Sequence, residues 1–91
     1  MAYRILIVED DRGISDAMET CIKTWGMEPR AVRDFGNVLG EFSDFKPHLV
    51  LMDITLPFMG GYYWCQEIRK LSPVPIIFIS SASENMNIIM A

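Results

Sequence analysis

Basic residues are scarce in this chain. Lys and Arg number 8 against 12 Asp and Glu, giving a net charge of -4 over 91 residues. A surface with that balance repels phosphate backbones, so the segment is not expected to grip nucleic acid by itself. Cysteine is nearly absent. Cys21 and Cys65 are the only two, too few for a disulfide-stapled scaffold. Each falls on a helical apolar face, and both read as reduced core thiols in a cytosolic protein. Long apolar runs are lacking as well. Ile5-Leu6-Ile7-Val8 is too short for a signal-peptide core or a membrane span, and acids follow it at once. No other stretch is long enough to cross a bilayer, so no membrane partner is expected. Internal repeats, low-complexity tracts and linkers are missing too. What remains is 51% hydrophobic and 22% charged, the composition of one globular domain over residues 1–91.

Three apolar runs each end in an oxygen-bearing side chain. Ile5-Leu6-Ile7-Val8 leads into Glu9-Asp10-Asp11, Leu49-Val50-Leu51-Met52 into Asp53, and Ile76-Ile77-Phe78-Ile79 into Ser80-Ser81. Runs of this kind suit strands buried on both faces, as in parallel sheets covered by helices. Ligands of such sheets bind at the carboxyl ends of the strands, where these polar terminators would gather.

Helical periods lie between the strands. Ile14, Ala17, Met18, Cys21, Ile22 and Trp25 form one apolar stripe, stopped by Gly26. A short strand is expected from about Met27 to Val32, and Pro29 confines it to a sheet edge. A weak helix follows over about Asn37 to Phe45, ended by Lys46-Pro47. After the loop from Ile54 to Gly60, Gly61, Trp64, Cys65, Ile68 and Leu71 mark a second stripe. Ser72-Pro73-Val74-Pro75 turns into the third buried strand. Ser83 is placed to cap a last helix starting near Glu84, with Met86 and Met90 on its core face. Trp25, Trp64 and Phe78 are expected in the core, and His48 at a solvated strand start. Right-handed crossovers make this a flavodoxin-like, doubly wound α/β fold with strand order 2-1-3-4. The switch point then falls between the first and third strands, with Glu9, Asp10 and Asp53 around one crevice.

Three carboxylates in one crevice repel each other, and a divalent cation relieves that cost. Oxygen ligands without His or Cys suit magnesium. A carboxylate beside such a cation can attack a phosphoryl group to form an acyl phosphate. A hydroxyl on the adjacent strand, Ser80, can then hydrogen-bond a phosphoryl oxygen. Acids at strand ends are also common without any such function. Phe58, Met59, Tyr62 and Tyr63 form either a partner-facing patch beside the site or loop anchors.

These residues resemble the receiver domains of two-component response regulators along the whole chain. ILIVEDD, residues 5–11, is similar to the family's first strand and acidic pocket. LVLMDITLP, residues 49–57, resembles the phosphoacceptor strand and its loop, and Gly61 also matches. PIIFIS, residues 75–80, is similar to the fourth strand and its switch hydroxyl. The resemblance implies that Asp53 is the phosphoacceptor and Ser80 the switch residue. It also implies that Mg2+ is held by Asp10, Asp53 and the Thr55 carbonyl, with Glu9 acting through water. A sensor histidine kinase would be the partner, and catalysis would extend only to the chain's own phosphorylation and dephosphorylation. The Glu-Asp pair resembles the OmpR/PhoB class, whose output is a C-terminal DNA-binding effector domain. GYYWCQEIRK and FISSASENMNIIMA resemble the branch that senses bacitracin-type peptide antibiotics.

Family receivers continue through a fifth strand and helix, which this sequence does not contain. The fifth strand brings a lysine that contacts the phosphoryl group, so phosphorylation of this chain is expected to be poor. A truncated receiver of this kind would leave Ile76 to Ile79 as an apolar edge and open apolar sheet surface beside it, and self-association through the fourth strand or the surface beside it is expected. Two rival readings stand beside this one. The first is a flavodoxin-like interaction module that is never phosphorylated. The second is a flavin or nucleotide binder, which would want a phosphate-cradling loop where this chain has Glu9-Asp10-Asp11-Arg12-Gly13.

Overall fold

A strand buried on both faces needs apolar side chains at every position, and the runs that meet this condition occupy the middle of the sheet. The structure, a computed structural model, describes residues 2–80 and 87–90. β1 (Arg4–Val8) and β3 (Leu49–Asp53) pair in parallel at the centre. β2 (Glu28–Ala31) lies outside β1, and β4 (Ile76–Ser80) lies outside β3, both parallel to their neighbours. Pro29 therefore sits on an edge strand, where its missing N–H is harmless. The order 2-1-3-4 agrees with the sequence reading.

Alternation along the strands divides the core between the two faces. Leu6, Val8, Val50, Met52, Ile76 and Phe78 pack with Val38 and Phe42 of α2 (Val38–Phe45) and with Trp64 and Ile68 of α3 (Gly61–Arg69). Ile5 and Ile7 face the other way, onto Ile22 of α1 (Arg12–Thr24). Helices thus cover both faces, which is what makes the sheet doubly wound. Asp11 caps α1 by accepting from the Ile14 N–H at 3.1 Å. Gly26, at φ 80°, turns the chain out of that helix in a conformation glycine adopts without strain.

The expected last helix does not extend over residues 87–90. Ser83, Glu84 and Met86 lie outside the described residues, but Asn87–Met90 is a strand, β5. It runs antiparallel to β4, pairing Ser80 with Asn87 and Ile77 with Met90. The sheet therefore has a fifth strand, and β4 is not an edge. That removes the open apolar edge on which self-association was expected. The physical reason lies in the β4 backbone, whose outer N–H and C=O groups would otherwise lack partners. Asn-Ile-Ile-Met is too short for a helical period to declare itself, and its two isoleucines suit a strand.

Several core assignments also change. Trp64 and Phe78 are buried as expected, but Trp25 is 71% exposed and Leu71 61%. Cys21 is exposed and Cys65 half-buried, both as free thiols. His48 does more than start a strand. Its Nδ1 accepts the Arg4 N–H at 2.9 Å, its own N–H donates to the Arg4 carbonyl, and its ring meets Tyr3 edge-on. It therefore ties the start of β3 to the start of β1.

Candidate functional site

The pocket follows from the register of two central strands. Val8 lies opposite Met52, so Glu9 and Asp53, the residues after them, stand side by side at the carboxyl end of the sheet. Asp10 follows in the turn to α1. Glu9, Asp10 and Asp53 each bring one carboxylate oxygen within 4.8 Å of the others. Glu9 and Asp53 are each 2% exposed, whereas Asp10 faces solvent. Asp11, the next acid along, is occupied as the cap of α1.

Backbone geometry holds the two buried carboxylates. The Asp11 N–H donates to Glu9 Oε2 at 3.0 Å, and the Thr55 N–H donates to Asp53 Oδ1 at 3.1 Å. The other Glu9 oxygen, Oε1, is buried with no hydrogen-bond partner among the described residues. The loop after Asp53 closes on itself, because the Gly61 N–H donates to the Ile54 carbonyl at 3.0 Å. Only glycine fits at position 61, since a Cβ there would overlap the Asp53 carbonyl. That close approach brings the first turn of α3 against the pocket.

Electrostatics in the pocket work against ionisation. Burial pushes the Glu9 carboxyl up from 4.5 to about 7. The Asp11 hydrogen bond opposes the shift, and the charges of Asp53 and Asp10 add to it. Burial likewise raises Asp53, against the Thr55 hydrogen bond, and the Asp10 charge raises it further. Two buried carboxylates with raised pKa values, one of them with an unpartnered oxygen, fit a hard divalent cation ligated by oxygen. The donor set holds no nitrogen or sulfur that would select a softer metal.

The remaining sequence-predicted site residues fall around this cluster. Thr55 lies two residues past Asp53, with its N–H turned onto the carboxylate. Ser80 ends β4, one residue past Ile79, which pairs with Asp53. Phe58, Met59, Tyr62 and Tyr63 are exposed rather than buried as loop anchors, although Tyr62 also rests its ring 4.7 Å from that of Phe78. The cap at Asp11 and the tie at His48 were not read from the sequence. A side chain's hydrogen bond to a distant backbone atom leaves no periodic trace, though the Asp before an apolar stripe was a usable signal for the cap. No helix among the described residues is long and apolar enough to cross a membrane.

The comparisons with known proteins agree with this geometry. Over 89 residues the chain is 44% identical to YvcP of Bacillus subtilis, described as an uncharacterized transcriptional regulatory protein. That match spans 98% of this chain and 38% of YvcP. Over 88 residues it is 36% identical to the response regulator GraR of Staphylococcus aureus, spanning 97% of this chain and 39% of GraR. The chain therefore spans about two-fifths of the length of these relatives. Among solved structures, the N-terminal domain of the nisin resistance regulator NsrR superposes with a TM-score of 0.83 at 40% identity. It covers 96% of this chain and 74% of that one. The regulator structure solved with the histidine kinase ThkA in complex with TrrA matches at a TM-score of 0.79 and 28% identity, covering 90% of this chain and 72% of that one. The response regulator receiver domain description matches residues 5–91, which hold every strand and helix of the sheet and its acidic pocket from Ile5 onward. On that match and those relatives, the chain belongs to the receiver domains of two-component response regulators.

Proposed function

We propose that residues 1–91 act as a phosphoacceptor receiver and take a phosphoryl group from a histidine kinase on Asp53. The observation that carries this reading is the convergence of Glu9, Asp10 and Asp53 within 4.8 Å at the carboxyl end of the sheet. In the proposed step an Asp53 oxygen attacks phosphorus, the P–N bond to the donor imidazole breaks, and that imidazole nitrogen is left to pick up a proton. Mg2+ would be held by Asp10, Asp53 and the Thr55 carbonyl, with Glu9 acting through water. When bound, the cation would offset the charge of the carboxylates and of the arriving phosphoryl oxygens. The chain's own part is to bury Asp53 and to orient it through the Thr55 N–H. Ser80, beyond the residue paired with Asp53, is proposed as the hydroxyl that senses the new phosphoryl group. Turnover is confined to the chain's own phosphorylation and dephosphorylation.

The ThkA–TrrA complex supports a kinase as the partner, since TrrA shares this fold. YvcP is described as a transcriptional regulatory protein, which supports a DNA-binding output carried by an effector domain outside these residues. We place the protein in the cytoplasm on the same grounds. Self-association is proposed as well, moved from β4 to the exposed apolar face of α1.

Intact-mass analysis tests the central claim. With Mg2+ and acetyl phosphate, a full-length version of the protein should gain one phosphoryl group and its Asp53→Asn variant none. Equal labelling of two folded proteins would refute the assignment of Asp53.

A further inference from the structure

We infer that Phe58, at the tip of the loop beside the acidic pocket, is a docking residue for the protein phosphodonor, and this inference rests on the function proposed above. Phe58 is 84% exposed, more than any other large hydrophobic side chain among the described residues. Its backbone sits at φ 67°, in the left-handed region that bulky residues avoid and glycine occupies freely. The ring gains little from packing within its own chain. A strained backbone carrying an exposed aromatic side chain makes the fold less stable than glycine would, so the ring's benefit must come from outside the fold.

Position identifies the partner. The loop is pinned at both ends to the phosphoacceptor, through the Gly61–Ile54 hydrogen bond and the contact of Gly61 with the Asp53 carbonyl. Phe58 is three residues before Gly61, which limits it to roughly 10 Å from that point. Even a small protein–protein contact covers about 600 Å² on each side, a disc of roughly 14 Å radius. A protein whose contact is centred on Asp53 would therefore reach the loop that carries Phe58. Met59, 41% exposed, and Tyr62, 54% exposed, extend the apolar rim on the same loop and helix start.

Charge explains why an apolar rim is needed. A phosphorylated donor is an anion, and Glu9, Asp10 and Asp53 repel it at the moment of approach. Apolar contact at the rim adds affinity that is independent of that charge. A small phosphodonor makes no such contact, so the ring should matter for a protein donor and not for a small one. This difference separates docking from a role in the chemistry or in folding.

Phe58→Gly and Phe58→Tyr test the inference. The phosphodonors are acetyl phosphate and the autophosphorylated cores of the source organism's histidine kinases, with the fastest donor to wild type used for comparison. Phe58→Gly should melt at or above the wild-type temperature and accept phosphoryl groups from acetyl phosphate at the wild-type rate. Its kcat/KM with the kinase should fall about tenfold, chiefly through KM, as expected for loss of an aromatic contact. Phe58→Tyr should restore most of that loss. Unchanged kinase transfer in Phe58→Gly, equal loss with both donors, or a lowered melting temperature would each overturn the docking role while leaving Asp53 as the acceptor. Failure of both donors to label the full-length wild-type protein would instead overturn the proposed function, and this inference with it.

Discussion

Single residues divide the work of the pocket. Asp53 is buried and held by one backbone N–H, Glu9 is buried with one oxygen unpartnered, and Asp10 stays in solvent. Ser80 is the uncharged member, at the end of β4 and one residue beyond the partner of Asp53. Its proposed hydrogen bond would exist only when Asp53 carries a phosphoryl group. Ser80→Ala should therefore leave phosphorylation largely intact and weaken the downstream response. Loss of one charge-assisted hydrogen bond should remove about 1.5–3 kcal/mol of bias toward the active state. A promoter assay beside intact-mass labelling checks this, and a response lost with Ser81→Ala instead would shift the register by one residue. Each of these side chains was legible in the sequence because each terminates an apolar run. His48 was not, because its bond to the Arg4 N–H depends on a partner 44 residues away.

At the scale of elements, the four parallel strands follow from their apolar runs, and Pro29 alone was enough to place β2 at an edge. The order then follows from right-handed crossovers. Two features were hidden for physical reasons. The choice of strand for Asn87–Met90 depends on the hydrogen-bonding groups along β4, and four residues are too few for a period to declare it. The stripe on α1 shows which face is apolar, but not whether anything covers it. Ile22 reaches the sheet, whereas Ile14 and Met18 are half-buried and Trp25 lies on the surface in the turn after the helix. Apolar surface left open in this way favours pairing. Light scattering at low micromolar concentration should therefore find a dimer or larger assembly, and Trp25→Lys should shift it toward monomer without lowering the melting temperature. A wild-type monomer would rule out self-association through α1.

The whole molecule carries a net charge of -4, and its most concentrated acidity is buried where it cannot be screened. That arrangement links stability to pH. Glu9 binds a proton more tightly in the folded chain, with a pKa of about 7 against 4.5. Its contribution to stability is fully present below about 4.5 and is lost as pH rises through about 7. Asp53, also raised, acts in the same direction. The loss between pH 4.5 and 7.5 should be about 2–3 kcal/mol from Glu9, or on the order of 10 °C in melting temperature for a domain of this size. Most small proteins do not lose stability on approaching neutral pH, so the sign itself is diagnostic. Glu9→Gln removes its share of the titration and should make the profile shallower, leaving the part that Asp53 contributes. Millimolar Mg2+ should raise the melting temperature at pH 7.5, where the carboxylates are free to bind it, and have little effect at pH 5. Calorimetry across this range with and without Mg2+ measures both effects. A wild-type profile that rises toward neutral pH without metal would show that Glu9 and Asp53 are not buried together as described. A flat profile that Mg2+ does not move would separate this pocket from cation binding altogether.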